Sequence, residues 1–434
     1  QVPDLPELPL QYVEYAQWQR EYLSGAVLSE EVAYWKEKLA GAQTILDLPF
    51  DRRRPSNHSW RGKTEELVFD SQTLGRLKGF AQKEGATLFM VSLSAFNAWL
   101  WRYTMQNSIL VGSPTAARSH SEIENLIGFF VNTLVFRADF SEKLTFRELV
   151  RQTRGLALEA YSHQYVPFEK LVEELVPQRS INIAPLFQAM FIFQNIPKQI
   201  FQISGLEMEE ITFDTGIAKF DLTAEVFEDD DKTFHWRFEY NSDLFDQTTV
   251  SAFLDHFRNL VSAVLEDPDL PVDKIPLIGA RERNQILIEL NRTDADLGQA
   301  SSIQSAFQKQ VDRTPDSIAV SYQGKSLSYV RLNRQANRLA HYLIRRGVQP
   351  GDRVGVLLER SPETFVALLG VLKAGAVYVP LDPSYPAKWL SFVLEDSQLR
   401  EVVTNRTTKI NLKAELPNAV ALDADNEGIS RESD

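Results

Sequence analysis

The chain has 434 residues, 44% hydrophobic and 24% charged, with 20 Gly and 20 Pro. This is ordinary globular usage, which excludes collagen-like, disordered and low-complexity classes and leaves room for two or three domains. A formal net charge of −13 without a long basic tract argues against nucleic acid or an anionic membrane surface as partner.

The start, Gln1 to Pro9, has neither an initiator Met nor a basic end followed by an apolar core. No signal peptide is read, and the chain is expected to begin inside a longer polypeptide. No cysteine is present, which removes disulfides, thiolate metal sites and a thiol nucleophile and fits a cytoplasmic setting. Ser29 to Ala40 carries Glu30 and Glu31 in its first turn, Val32, Trp35 and Leu39 at helical spacing, and stops at Gly41, so both helix ends are marked. Leu48 to Gly62 is a Pro- and Arg-rich loop. Within it Asp51-Arg52-Arg53-Arg54-Pro55 is too short for a nucleic-acid tract and reads as solvated. A strand over Thr64–Phe69 and a helix from Asp70 to about Glu84 follow. Thr87–Tyr103 is the most apolar run, but Ser92, Ser94 and Asn97 interrupt it. It falls short of the roughly eighteen apolar residues a bilayer span needs, so a buried helix is expected.

Strand-like runs come next at Ser108–Val111, Phe129–Phe136, Phe187–Phe193, Phe220–Phe227 and Thr233–Tyr240, with helical patterns at Thr145–Tyr161, Phe168–Leu175 and Val250–Leu265. Strands mixed with helices predict a layered α/β domain over residues 1–277. Residues 278–300 are rich in Arg, Glu, Asn and Asp with no sustained apolar face, the composition of a linker. Residues 301–434 then alternate regularly: helix Ile303–Val311, strand Ile318–Tyr322, helix Ser328–Arg346, strand Arg353–Leu358, helix Pro362–Lys373, strand Val377–Val379, helix Trp389–Glu395 and strand Arg400–Val403. Strands separated by helices of this length predict a doubly wound parallel sheet, left with an open edge.

The residues offer no complete catalytic set. The six histidines, His58, His120, His163, His235, His256 and His341, are never within four residues of one another, so the paired spacing of a helical zinc site is absent. Nucleophile-elbow, phosphate-loop and dinucleotide fingerprints are missing as well. His163, in His163-Gln164-Tyr165-Val166-Pro167-Phe168-Glu169, is either a structural residue or a general base, and the second role needs a nucleophile and an orienting partner. Asp221, between Phe220 and Leu222, must be paired, hydrogen-bonded or at a cavity mouth. Arg118 ends a loop of small residues, Gly112 to Ala117, and suits either a bidentate carboxylate or plain surface exposure.

Ile127-Gly128-Phe129-Phe130-Val131-Asn132-Thr133-Leu134 resembles the condensation domains of nonribosomal peptide synthetases. Tyr12-Val13-Glu14-Tyr15-Ala16-Gln17-Trp18-Gln19 is similar to that family's Tyr-x-Asp-Phe-Ala-x-Trp-Gln motif, with Glu14 for Asp. His163 to Glu169 resembles its His-Gln-Asp-x-Pro-Phe-Glu motif, with Tyr165 for Asp. Arg179 to Leu186 is a loose match, whereas Pro185-Leu186-Phe187-Gln188 and Lys219-Phe220-Asp221-Leu222 are good ones. Farther on, Leu327-Ser328-Tyr329-Val330-Arg331-Leu332 and Leu372 to Asp382 resemble the first two core motifs of amino-acid adenylation domains.

The resemblance implies a chloramphenicol-acetyltransferase-like condensation domain, incomplete at its N-terminus, joined to the start of an adenylate-forming-enzyme-like doubly wound α/β domain. It implies a parent that joins carrier-bound aminoacyl or peptidyl thioesters and activates an amino acid with ATP and Mg²⁺. The substrates ride on the 4′-phosphopantetheine arms of carrier domains of the same assembly line. The family's catalytic His-His-x-x-x-Asp-Gly motif does not occur in this chain, so no catalytic residue, bound cofactor or metal is assigned to it. Arg118 is expected to lack its family partner, the Asp of that motif. The adenylation domain's phosphate loop, specificity pocket and late catalytic Lys are expected beyond Asp434. Arg118, Asn132, His163 and Asp221 are the structural or tunnel-lining candidates, while Tyr378 and Asp382 are expected to be structural. A free-standing acyltransferase or acyl-CoA ligase needs motifs that are absent. The remaining alternative is a non-catalytic remnant or carrier-domain-binding protein without either catalytic centre.

Overall fold

The computed structural model describes residues 8–118, 120–176, 182–195, 214–295, 302–411 and 418–434. It divides into two compact units, Gln1–Arg292 and Thr293–Asp434.

The first unit is built on six strands: β1 (Gly62–Phe69), β2 (Ser108–Thr115), β3 (Asn132–Asp139), β4 (Ala189–Gln194), β5 (Leu222–Glu228) and β6 (Phe234–Asn241), in the order β1-β6-β5-β4-β2-β3. β2, β4 and β5 run parallel, and the other neighbours pair antiparallel. β6 shows why the sheet has one oily side. Phe234, Trp236, Phe238 and Tyr240 alternate inward and are buried, while His235, Arg237 and Glu239 face the other way, the period of two that a half-covered strand requires. The buried side receives the helices Leu88–Thr104 and Gln247–Glu266. Trp99 and Phe257 meet Phe238 with ring centroids 5.9 and 5.8 Å away, and Phe257 lies 4.4 Å from Trp236. Helix Leu88–Thr104 is buried at every position from Met90 to Leu100, as its largely apolar sequence predicts. Thr87 caps its start by accepting from the Met90 N–H at 3.2 Å.

The elements depart from the sequence reading at several places in this unit, among them the short helix Ser121–Glu124, which it did not place. A helix Tyr12–Tyr22 precedes the first expected one, which itself begins at Gly25 and ends at Leu39. The strand expected over Phe129–Phe136 is displaced to Asn132–Asp139, because the Phe130 ring and the Phe129 carbonyl engage the helix Tyr12–Tyr22 instead of a strand partner. The segment expected to be a linker contains the helix Ala280–Asn284 and a single π-type turn, Gln285–Glu289. Its Glu282 meets His256 at 2.7 Å. Residues 296–300, and 179–181 of the loosely matched motif, lie outside the described residues.

The second unit contains β7 (Ile318–Tyr322), β8 (Lys325–Ser328), β9 (Arg353–Leu357), β10 (Val377–Leu381), β11 (Glu401–Thr404) and β12 (Ala419–Ala421). The last four form a parallel sheet in the order β10-β9-β11-β12. β7 stands apart from it, paired antiparallel with β8, although its sequence alone reads as one more strand of the alternation. Helices Tyr329–Arg345 and Pro362–Lys373 approach closely at Gly370, where a Cβ would lie 2.8 Å from Leu339. Buried Glu401 accepts from Arg346 at 3.1 and 3.3 Å.

Candidate functional site

The end of β2, the start of β3 and the loop after the helix Phe146–Ser162 converge. Thr115 faces Asn132 across the β2–β3 ladder, and its hydroxyl donates to Gln164 Oε1 at 3.1 Å. Asn132 is fully occupied there. Its amide donates to the carbonyls of Gln164 and Val166 at 2.8 and 2.7 Å, and its Oδ1 accepts from the N–H groups of Thr133 and Phe168 at 2.9 and 3.1 Å. One side chain thus satisfies the turn before the helix Phe168–Leu175 and its first N–H.

His163 closes the preceding helix. Its Nδ1 lies 3.0 Å from Glu31 Oε2, and its ring stacks on Tyr34 at 3.7 Å. Its carbonyl accepts from Trp35 Nε1 at 3.1 Å. Burial, with Glu159 and Glu31 nearby, pushes the Tyr34 phenol up to about 12. His163 therefore ties the helix Gly25–Leu39 to the motif loop. Beyond it, Tyr165 joins an aromatic group with Trp18, Tyr22 and His120, at centroid separations of 5.8 to 6.2 Å.

Arg118 does not stand unpartnered. Its guanidinium donates to the carbonyls of Ile123 and Glu124, the latter at 2.9 Å, and lies 4.1 Å over the Phe130 ring. The last carbonyls of a helical turn have no partner of their own, so they attract an Arg close in sequence. Phe130 is buried against Tyr12 and Tyr15, whereas Ile127 and Phe129 on either side are 94% and 79% exposed. A Cβ at Gly128 would run into the Tyr12 ring, so a larger residue there has to push that ring aside. The Tyr12 hydroxyl donates to the Phe129 carbonyl at 2.9 Å.

Asp221 belongs to a separate cluster. It is 3% exposed, and both carboxylate oxygens accept from Arg54, Oδ1 at 2.7 Å. The loop expected to be solvated therefore sends one of its three arginines inward, because a buried carboxylate needs a cation with matching geometry. Arg54 also stacks 5.2 Å over Phe50. Gln188, buried beside it in the Pro185 to Gln188 motif, accepts from the Leu46 N–H at 2.6 Å and donates to the Thr44 and Ala184 carbonyls. The sequence signal for Arg54 was the lone carboxylate at Asp221 and that for Gln188 its place in the Pro185 to Gln188 motif; Glu31 and Tyr34 had none as site residues. The structure thus brings Arg118, Asn132 and His163 to one region through the Gln164–Tyr165 loop and holds Asp221 apart.

In the second unit Asp382 accepts from the Ser384 N–H at 2.8 Å in a turn, and that bond holds its carboxyl below the ordinary value. Tyr378 is partly buried against the core there.

Residues 2–287 match the family model of the condensation domain, and residues 307–433 match that of the AMP-binding enzyme. A linear gramicidin synthase of Brevibacillus parabrevis carries a polypeptide 41% identical over 432 residues, covering 99% of this chain and 8% of that protein. Malpinin synthetase of Mortierella alpina is 39% identical over 93% of this chain and 5% of its own length, so the chain spans only a small part of the curated relatives it matches. In fold, a holo four-domain nonribosomal peptide synthetase bound to AMP and glycine superposes with a TM-score of 0.77 at 23% identity, over 96% of this chain and 33% of that one. The X-domain from teicoplanin biosynthesis gives 0.59 at 25% identity, over 64% of both chains. These matches define a condensation domain followed by the start of an AMP-binding domain. The chain belongs to the nonribosomal peptide synthetases. Among the described residues no helix is long and apolar enough to cross a membrane.

Proposed function

We propose that the chain serves a modular synthetase as the C-terminal larger part of a condensation domain (1–277), a connector (278–300) and the opening of an adenylation domain (301–434). The observation that carries this reading is the succession of the two family matches along one chain, condensation first. In the parent, the amine of a carrier-bound acceptor attacks the thioester carbonyl of a carrier-bound donor. An amide forms, and the donor's pantetheine thiol is released. Holding both tethered reactants in register supplies much of the rate, because it replaces a bimolecular encounter. The adenylation domain supplies the acceptor by activating an amino acid with ATP and Mg²⁺.

Within this scheme Arg118, Asn132, His163 and Asp221 are positioning residues. Asn132 and Asp221 have their polar atoms engaged by protein partners, and Arg118 and His163 are each held by at least one, which supports a structural or tunnel-lining role. The test is a reconstituted assay on the synthetase that carries this sequence, with its carrier domains loaded. Amide formation between donor and acceptor thioesters, together with amino-acid-dependent ATP–pyrophosphate exchange, is the expected result. Carrier binding without either activity would instead identify a non-catalytic, carrier-binding protein.

A further inference from the structure

Residues 272–284, where the connector begins, are fastened at three places to the helices Leu88–Thr104 and Gln247–Glu266. Arg102 donates to the Val272 carbonyl at 3.4 Å and to the Ile275 carbonyl. The Asn259 amide donates to the Leu277 carbonyl at 2.7 Å, and a Cβ at Gly279 would lie 3.4 Å from that amide nitrogen, so the backbone passes close over the helix. The third fastening is a chain of side chains. His256 Nε2 lies 2.7 Å from Glu282 Oε2, and His256 Nδ1 meets the Tyr103 hydroxyl.

The third differs in what depends on it. The helix Ala280–Asn284 has five residues and none of them is buried, so packing does not hold it, and a helix that short does not persist by itself in water. Among the described residues, Glu282 supplies its one side-chain bond to the rest of the unit, since Asn284 bonds only to Glu289 farther along the connector. The bond is well made. A carboxylate can only accept, so Nε2 carries the proton that faces Glu282, and Nδ1 is left to accept from the phenol. Burial and the Glu282 charge push the Tyr103 phenol well above its ordinary value, so it keeps the proton it donates. Arg102, the other charge beside that phenol, is taken up by its two carbonyls. The His256 side chain is only 13% exposed, which limits how far water competes with a charge-assisted bond.

We propose that Tyr103, His256 and Glu282 form a latch that holds the start of the connector to the condensation part, with His256 as the positioning residue for delivery of a carrier-bound acceptor. The latch rests on the reading of residues 278–300 as the link between amide formation and amino-acid activation. A tether that leaves its base at a fixed place confines the acceptor to a smaller volume and raises its effective concentration at the donor thioester. An acceptor free in solution does not pass through the connector and gains nothing from the latch.

The test compares the parent synthetase with its Glu282→Ala, His256→Ala and His256→Gln variants. Amide formation is followed with the acceptor on its carrier domain and with a free aminoacyl thioester of pantetheine, and hydrogen exchange is read over residues 279–289. Glu282→Ala opens the latch from its exposed side and leaves the core intact. It should speed exchange over 279–289 and slow the tethered reaction about tenfold, with the free reaction and amino-acid-dependent ATP–pyrophosphate exchange unchanged. His256→Ala should do the same. His256→Gln should restore most of both, because one amide can donate to Glu282 and accept from Tyr103. Unchanged protection over 279–289, faster exchange with an unchanged tethered rate, or equal loss of the tethered and free reactions would each overturn the proposal. Failure of the unsubstituted synthetase to form amide from either acceptor refutes the condensation reading itself, and the hydrogen-exchange comparison, which needs no activity, still decides whether Glu282 and His256 hold the connector.

Discussion

At the residue scale the pair Arg54–Asp221 makes the sharpest demand on the fold. The two residues are 167 positions apart, and the carboxylate has no water to fall back on. Arg54→Ala strands a buried charge and should cost about 3–5 kcal/mol in urea unfolding. Replacing both partners, Arg54→Met with Asp221→Leu, should recover most of that loss, since two apolar groups need neither pairing nor hydration. Equal losses in the single and double variants would show that the pair is not what holds the loop. Tyr34 gives a second test, read by pH. Its phenol is raised from the ordinary 10.0 to about 12 by burial and by Glu159 and Glu31. The folded state therefore holds the phenolic proton more tightly than the unfolded chain. The stability this contributes is fully present below about pH 10 and is lost as pH rises through about 12. Stability of the parent chain should fall across that window more steeply than that of Tyr34→Phe, as followed by denaturation at stepped pH.

At the scale of elements, one glycine contact and one asparagine explain what periodicity did not show. The alternating apolar run Phe129 to Phe136 reads as one strand, but pairing begins only at Asn132. Gly128 lets the Tyr12 ring pack on the backbone, and the Tyr12 hydroxyl claims the Phe129 carbonyl. Gly128→Ala forces the ring aside and should release the helix Tyr12–Tyr22. Faster hydrogen exchange confined to residues 12–22 and 127–131 is the expected outcome, and unchanged protection there would contradict it. Asn132 is the companion clip. Asn132→Ala leaves the Gln164 and Val166 carbonyls without their donor and should cost about 2–3 kcal/mol in urea unfolding. Most helices were legible because their caps and apolar spacing are local: Asp70, Thr87 and Thr145 all accept an N–H three residues on. The helix Tyr12–Tyr22 was not, since its buried contact depends on Phe130, more than a hundred residues away.

At the scale of the whole molecule, the α/β character of both units and the parallel sheet of the second followed from strand and helix alternation. The mixed order of the first sheet did not, because β1 pairs with β6, the farthest strand in sequence. The candidate site divides in the same way. Its residues could be named from motif resemblance, but their partners, Glu31 for His163, Arg54 for Asp221 and the Ile123 and Glu124 carbonyls for Arg118, come from packing. Those partners hold each motif residue in place, and the central claim built on them is that the motif residues of this chain position substrates and do not exchange protons with them. The most direct test is the pH–rate profile of amide formation by the parent synthetase with and without His163→Gln. The account predicts a lower rate with an unchanged profile and unchanged amino-acid-dependent ATP–pyrophosphate exchange. Loss of the acidic limb of the profile in the variant would make His163 a general base and contradict it.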